Sequence, residues 1–541
     1  MRMKDIIRYF LVAFVTFGMV SCSWFEDDDP GFEDIAFDLS QVTVLSHGQF
    51  NAREYIEGKI AEVQQSNDLD QDLADAYLGF YKNKLEEIEE KEEAIRNQAG
   101  GALNDVNTIL GYEYVALVYP SVSVNGDLIP CSELLVWPWG VLWNPRPDDV
   151  IIGCHCTITD DKSRPSNYAS LGFTNDVAML ALMNTTRSQY SLVIIPDYEG
   201  YGESRDNSHP YCNRDVTARQ VIDGVRAGIS YYERNQKKLE PKWRSVAVGY
   251  SQGGAVAAGV YRYAREHALN DLRLVGAVCG DGPYDPIATL KRYISDGKLY
   301  MPVAAALILK GAVDTDPEMK RLKCKYSDFC TNEFLQSWVF YDLEDKEKST
   351  TDIHRSILDY SASLPGDFPF HMYCWDNKSQ TFQPYAEETA RSKAYDFDLS
   401  AGKAKSYLPI ECCFHQGVID FFPGKEEITE GVNIDKLNAL KRCLERNSLV
   451  YQGWKPPKNS GLTFFHSTRD EVVPIDNMDA VDREWYFGYN DCYRFYRYKT
   501  DTYLHVGTGR AFYLAYATDF VNKIFKNEWE PGRTTIDGGK W

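Results

Sequence analysis

The string Gly249-Tyr250-Ser251-Gln252-Gly253 fits Gly-x-Ser-x-Gly. Its chemistry would be nucleophilic, with a serine oxygen held on a sharp turn to attack an acyl carbon. Alone the string says little, because Gly and Ser are common residues. Its surroundings say more. The apolar run Ser245–Val248 ends at Gly249, and Gly254 leads into Ala255-Val256-Ala257-Ala258-Gly259-Val260-Tyr261, rich in small residues and helix-like. Strand, tight turn and helix would present the Ser251 Oγ at the carboxyl end of a sheet. The glycines let the backbone turn sharply and let helix and strand approach closely. A helix N-terminus behind Ser251 favours developing negative charge.

A serine needs a base, and the base needs a group to orient it. The chain has nine histidines. His47 precedes the main strand series, and His155 lies at a strand end upstream of Ser251. His209 sits in Ser208-His209-Pro210-Tyr211, a loop between sheet elements, where it could line a pocket. His267 ends a helix, and His354, His371 and His415 fall in a long aromatic-rich stretch. His466 ends a strand, and His505 lies in Thr502-Tyr503-Leu504-His505-Val506-Gly507, a loop running into glycines. Cys154-His155-Cys156 invites a zinc reading. Two thiols at i and i+2 share one strand face, however, and His155 takes the other. No second Cys/His cluster supports a metal site, so these are read as buried strand thiols, with no metal.

These residues need a scaffold. Tyr112–Val122 and Glu133–Trp137 read as two strands around the turn signal Asn125-Gly126-Asp127. Asp149–Cys154 and Ser191–Pro196 are short continuous apolar runs, as in strands buried on both faces. Ser245–Val248 is a fifth strand and Leu272–Cys279 a sixth. Thr174–Met183 and Val216–Arg234 read as helices between them. Strands alternating with helices predict a mainly parallel sheet covered on both sides. The alternation stops from Pro286 to about Pro457, which is aromatic-rich and largely helical. It resumes with strands at Leu462–His466 and Tyr493–Tyr498 and a last helix over Ala511–Phe525. Ala52–Gln98 is mostly helical, with Tyr81, Leu85, Ile88 and Ile95 as a narrow apolar stripe among glutamates. It shows no chemistry.

At this point the chain resembles the α/β-hydrolase superfamily, and more narrowly bacterial lipoproteins related to the secretory lipases. Three segments carry the resemblance: Gly249–Gly254, the loop Asp197-Tyr198-Glu199-Gly200-Tyr201-Gly202, and Gly280-Asp281-Gly282-Pro283-Tyr284-Asp285. It covers about 112–285 and 462–525. The resemblance implies an α/β-hydrolase fold, a serine nucleophile at Ser251 and the order Ser, acid, His. The loop Ser467-Thr468-Arg469-Asp470-Glu471-Val472-Val473-Pro474 looks like the family's acid loop, and Asp470 fits best. Glu471, Asp476 and Asp479 are the alternatives, as helix-start or surface acids. His505 alone has the family's order and setting for the base. The oxyanion hole needs two backbone N–H donors, one from Gln252 and one after the third strand. The family often reads His-Gly-Thr there, and this chain reads His155-Cys156-Thr157. Cys156 in place of Gly leaves both Cys156 and Thr157 open, with Thr157 preferred. On this reading residues 109–286 and 457–541 form the hydrolase core. Residues 287–456 insert as a mostly helical cap, and 22–108 are a tether and helical extension. Some of Phe329, Phe334, Trp338, Phe340, Tyr341, Phe368, Phe370, Tyr373 and Trp375 would line the acyl pocket, and most would be the cap's own core.

The N-terminus reads as an address. Arg2, Lys4 and Arg8 precede a Tyr9–Val20 run too short to span a bilayer, as in a signal peptide, residues 1–21. Ser21-Cys22 resembles the lipobox of bacterial lipoproteins, which implies cleavage before Cys22, its lipidation and anchoring to the outer membrane. The acidic run Glu26–Asp29 resembles the export signal of surface-exposed lipoproteins. It reads equally as a solvated tether. Lys and Arg number 58 against 79 Asp and Glu, a net charge of −21 over 541 residues. That excludes nucleic acid as a natural partner, and it leaves the lipid on Cys22 as the membrane contact.

The resemblance implies ester hydrolysis through an acyl-enzyme on Ser251, with His505 as base, Asp470 as orienter and no cofactor. The expected substrate is an ester of a lipid or an acylated carbohydrate. A serine peptidase of the same fold and a non-catalytic surface-binding lipoprotein are the rival readings.

Overall fold

The computed structural model describes residues 42–65, 71–97, 111–139, 146–167, 190–365, 368–376, 379, 381–385, 406–425, 432–486, 492–501 and 504–538. The expected signal peptide, Cys22, the acidic tether and the helix over Thr174–Met183 lie outside them.

The main sheet has ten strands among the described residues: β1 (Thr43–Asn51), β2 (Gly111–Val122), β3 (Leu128–Trp139), β4 (Asp149–Cys154), β5 (Ser191–Pro196), β6 (Arg244–Tyr250), β7 (Leu274–Gly280), β12 (Leu462–Ser467), β13 (Tyr493–Thr500) and β14 (Gly532–Gly538). Their order is β1-β2-β3-β5-β4-β6-β7-β12-β13-β14. β1, β2 and β3 pair antiparallel, and β3 pairs antiparallel with β5. From β5 to β14 every pairing is parallel. The fold is that of an α/β-hydrolase.

The strand sequences explain the layering. β4 reads Asp-Val-Ile-Ile-Gly-Cys and β5 Ser-Leu-Val-Ile-Ile-Pro, and every residue of both is buried. Alternate side chains go to opposite faces. Val150, Ile152 and Ala247 pack with Val221 and Val260 of the helices Arg214–Asn235 and Gln252–Glu266. Ile151, Val193 and Val246 pack on the other face with Tyr77, Tyr81 and Phe520. Burying each Val or Ile contributes roughly 1.5–3 kcal/mol. Tyr77 and Tyr81 belong to the second of two N-terminal helices, Ala52–Gln65 and Gln71–Asn97. Tyr81, Leu85 and Ile88 of the apolar stripe read from the sequence therefore cover one face of the sheet.

Three differences from the sequence reading are local. β1 is a strand inside the stretch read as tether and helix, and β14 is a further edge strand after the last helix. β1 is broken by Gly48 and a register shift between Val44 and Ser46, and β14 begins and ends on glycine, so neither gives a clean period. The insertion also holds a four-stranded sheet, in the order β10-β9-β11-β8. Its strands are β8 (Lys298–Leu299), β9 (Tyr373–Asp376), β10 (Thr381–Pro384) and β11 (Ser406–Pro409). Two to four residues are too short for alternation to show.

Register brings the chemistry together. Cys154 of β4 pairs with Gly249 of β6, and Tyr250 of β6 with Gly280 of β7. Phe465 of β12 also pairs with Gly280. The carboxyl ends of four adjacent parallel strands are level. The loops leaving them carry His155–Thr157, Ser251, Asp281 and Asp470–Val473.

Candidate active site

Ser251 joins β6 to the helix Gln252–Glu266 with φ 57 and ψ −125, a conformation rare for a residue with a side chain. The strain is held from both sides. The Ser251 N–H donates to the Gly280 carbonyl at 2.9 Å, and the Gly254 N–H to the Ser251 carbonyl at 2.9 Å. The glycines allow the approach: a Cβ on Gly253 would lie 2.0 Å from the Cys154 carbonyl oxygen, and one on Gly254 would lie 2.3 Å from that of Gly280.

The structure brings Ser251, His505 and Asp470 into one hydrogen-bonded line. Ser251 Oγ is 2.8 Å from His505 Nε2, and His505 Nδ1 is 2.5 Å from Asp470 Oδ2. Asp470 Oδ1 accepts the N–H groups of Val472 at 2.9 Å and Val473 at 2.6 Å. These bonds fix the carboxyl, so Oδ2 faces the ring. With Nδ1–H donating to Asp470, Nε2 is left to accept the Ser251 proton. Burial pushes the His505 ring below its ordinary range and the Asp470 carboxyl above its own, the two amide bonds opposing the latter.

His505 is the first residue of a helix, His505–Ala511, rather than a loop residue. Its backbone N–H donates to Glu471 Oε2 at 3.0 Å, and its carbonyl accepts the Tyr250 hydroxyl at 2.7 Å. Glu471 is therefore a site residue, unlike the surface acid expected from the sequence. Asp479 pairs with Arg497, and Asp476 lies near Arg292 at 3.8 Å, both away from the triad.

A cavity of about 510 Å³ opens on Ser251 and His505. Cys156 and Thr157 line it, and the Thr157 hydroxyl is 2.7 Å from that of Tyr211. The His155 ring lies between the carbonyls of Cys156, at 2.7 Å, and Asp197, at 3.1 Å. Gln252 begins its helix, so its N–H has no intrahelical acceptor. Its side-chain amide meets His209 Nε2 at 2.8 Å, while His209 Nδ1 donates to the Glu199 carbonyl at 2.7 Å. His209 is thus packed behind Ser251 rather than placed in the cavity. Burial holds its ring neutral, with a pKa lowered to about 3.

The insertion supplies Tyr293, Met301 and Ile308 to the cavity wall. The aromatic residues singled out from the sequence do not line it. Phe329, Phe334 and Phe370 form the insertion's own core, and Trp338 and Tyr341 are exposed. Tyr77 of the N-terminal extension and Arg510 complete the wall, with the Arg510 guanidinium 5.6 Å from the Tyr77 ring centroid. Asp281 lies in the same buried cluster as Asp470 and His505. The sequence placed Asp281 on a strand end without giving it a role.

Comparison with known proteins bears on the family and the fold. The secretory lipase family matches residues 165–339, a stretch that holds Ser251 and ends before Asp470 and His505. A search of curated proteins finds no match. Among solved structures, the rice cell wall degrading esterase LipA from Xanthomonas oryzae is similar at 17% identity and a TM-score of 0.59, over 90% of this chain and 99% of that one. A protein from Legionella pneumophila is similar at 15% identity and a TM-score of 0.56, over 90% and 98%. The chain is an α/β-hydrolase-fold protein that matches the secretory lipase family across residues 165–339.

Proposed function

We propose that this protein hydrolyses carboxylic esters through an acyl-enzyme on Ser251. The observation that carries this is the line Ser251 Oγ, His505 Nε2, His505 Nδ1, Asp470 Oδ2, at 2.8 and 2.5 Å, opening on a ligand-sized cavity. The secretory lipase match over the nucleophile segment supports the same reading.

Ser251 Oγ attacks the ester carbonyl carbon as its proton passes to His505 Nε2. Asp470 holds the Nδ1–H tautomer and stabilises the imidazolium. The backbone N–H groups of Gln252 and Thr157 hold the oxyanion, with Cys156 the alternative second donor. Each such donor is worth roughly 10²–10³ in rate. His505 then protonates the leaving alkoxide. Water attacks the acyl-enzyme, giving its proton to the same nitrogen. The bond from Ser251 Oγ to the acyl carbon then breaks, His505 returns the proton to Oγ, and the carboxylic acid is released. The substrate class is an ester of a lipid or acylated carbohydrate, and the address is a lipid anchor on Cys22 in an outer membrane. Radiolabelled palmitate incorporation, lost in Cys22→Ala, tests the address.

The deciding experiment is turnover of p-nitrophenyl esters from acetyl to palmitoyl, with Ser251→Ala alongside. Turnover that falls to background in the variant supports the reading. Folded wild-type protein with no Ser251-dependent turnover on any ester overturns it.

A further inference from the structure

Asp281 lies one residue past β7, with φ 34, a left-handed conformation that Asp and Asn adopt more readily than most residues. Its side chain is fully buried. Oδ1 accepts the Ser467 N–H at 2.8 Å, and Oδ2 lies 2.6 Å from the Tyr250 hydroxyl. That hydroxyl is also 2.7 Å from the His505 carbonyl oxygen. With a full hydrogen bond in each contact, rather than one proton shared between two acceptors, the proton count fixes their direction. A tyrosine hydroxyl has one proton to donate, and a carbonyl oxygen can only accept. The Tyr250 proton therefore goes to His505, and the 2.6 Å contact needs a proton from Asp281.

We propose that Asp281 is a neutral carboxylic acid that donates through Oδ2 to Tyr250, and that this relay positions His505 against Ser251. The positioning role rests on the triad reading above. The protonation state rests on the Tyr250 geometry and on the Asp470 carboxyl beside Asp281, and not on the triad reading.

An ionised Asp281 paired with a protonated His466 fits worse. His466 Nε2 is 2.9 Å from the Val473 carbonyl and donates to it. Nδ1, at 3.9 Å from Asp281 Oδ1, is beyond hydrogen-bond reach and has no partner among the described residues. That is a neutral ring with its lone pair toward Asp281. The titratable groups around it are Tyr250 from β6, Tyr284 from the segment after β7, His466 from β12, Asp470, whose side chain is hydrogen-bonded to that of Asp281, and Glu471 from the following loop, and His505 from its helix. Two carboxylates sharing a dry site do not both ionise. Burial pushes the Asp281 carboxyl up to about 7, with Asp470 adding and the two histidines opposing.

A neutral Asp281 leaves the negative charge on Asp470, facing His505. Raising the pH ionises Asp281, ends its donation to Tyr250 and sets a second charge beside Asp470. The lower part of the alkaline limb of kcat/KM then belongs to Asp281, with Glu471, whose carboxyl burial raises to about 8, ionising after it.

The test compares full-length wild type with Asp281→Asn and Asp281→Leu. The Asn amide can donate to Tyr250 and cannot ionise. The infrared difference between wild type and Asp281→Asn at neutral pH should show the C=O stretch of a protonated acid. Carboxylate stretches alone overturn the proposal. This readout needs no ester turnover, so it stands whether or not the ester reading does. On p-nitrophenyl butyrate, Asp281→Leu should lose roughly 10–100-fold in kcat/KM through misplacement of His505. Asp281→Asn should recover most of it and move the alkaline limb to higher pH, where Glu471 ionises. An Asn variant as impaired as Leu, or one that keeps the wild-type alkaline limb, overturns the positioning role. If the Leu variant does not fold, the Asn variant carries the test.

Discussion

Glu471 Oε2 accepts the backbone N–H of His505 at 3.0 Å, so the residue after Asp470 holds the start of the helix that carries His505. Its Oε1 is buried with no hydrogen-bond partner among the described residues. Burial, with Asp470 adding, raises this carboxyl to about 8. The folded state therefore binds a proton that the unfolded chain has released above its ordinary value of 4.5. Stability contributed by this group is full below pH 4.5, is lost as pH rises toward about 8, and changes no further above that. Glu471→Gln keeps the acceptor and removes the ionisation. We expect a flatter pH dependence of its thermal midpoint between pH 5 and 8 than in wild type. Glu471→Ala leaves the His505 N–H unpaired and should cost about 1–3 kcal/mol. Thermal melts across that pH range check both, and parallel curves for wild type and Glu471→Gln would sink the argument.

Asp470→Asn keeps the shape of the acid and reverses its chemistry. The Asp470 oxygen that accepts two amide N–H groups would stay an acceptor, which turns the new NH₂ toward His505 Nδ1. The ring would then carry its proton on Nε2 and could not take one from Ser251. The expected loss in kcat is about 10⁴-fold, with little change in KM. Steady-state kinetics on a short-chain ester measures it. A loss under tenfold would mean that Asp470 does not set the tautomer.

Two glycines make opposite predictions. Gly253→Ala puts a Cβ against the Cys154 carbonyl at 2.0 Å, backbone against side chain, and neither can yield cheaply. The turn at Ser251 must open. We expect about 1–3 kcal/mol of lost stability or more, and ester turnover near background. Gly58 sits in an N-terminal helix with nothing within 4 Å of a built Cβ. Gly58→Ala should raise stability by about 0.5–1 kcal/mol, with activity intact. Denaturant titration of the pair tests whether strand–helix approach, rather than glycine removal as such, controls the elbow.

The sequence exposed the parts of the site that rest on local pattern. Ser251 lies between an apolar run and a small-residue helix, and Asp470 follows a buried strand, so both positions show in one dimension. Asp281 did not, because its partners Tyr250, Ser467 and His505 are far apart in sequence and meet only through strand register. Glu471 was misread because an acid beside an acid usually faces water, and only the helix start at His505 turns it inward. Most of the insertion's aromatics are its own core, as read, and none of them lines the cavity, because composition does not say which face of an element is covered. Tyr77 showed the reverse. The stripe around it announced burial and nothing of the cavity.

That residue carries the last prediction. Tyr77 reaches the cavity from the helix Gln71–Asn97, well outside the segment that matches the secretory lipase family. It is 1% exposed, and the Arg510 guanidinium lies over its ring. The N-terminal extension therefore helps set the shape of the space in front of Ser251. Tyr77→Ala removes a buried ring and should cost about 3–5 kcal/mol. The enlarged cavity should move the p-nitrophenyl ester optimum toward longer acyl chains. Tyr77→Phe keeps the ring over Arg510 and loses only the hydroxyl, so its chain-length profile should match wild type. A Tyr77→Ala variant that folds and keeps the wild-type profile would show that the extension covers the sheet without shaping the substrate site.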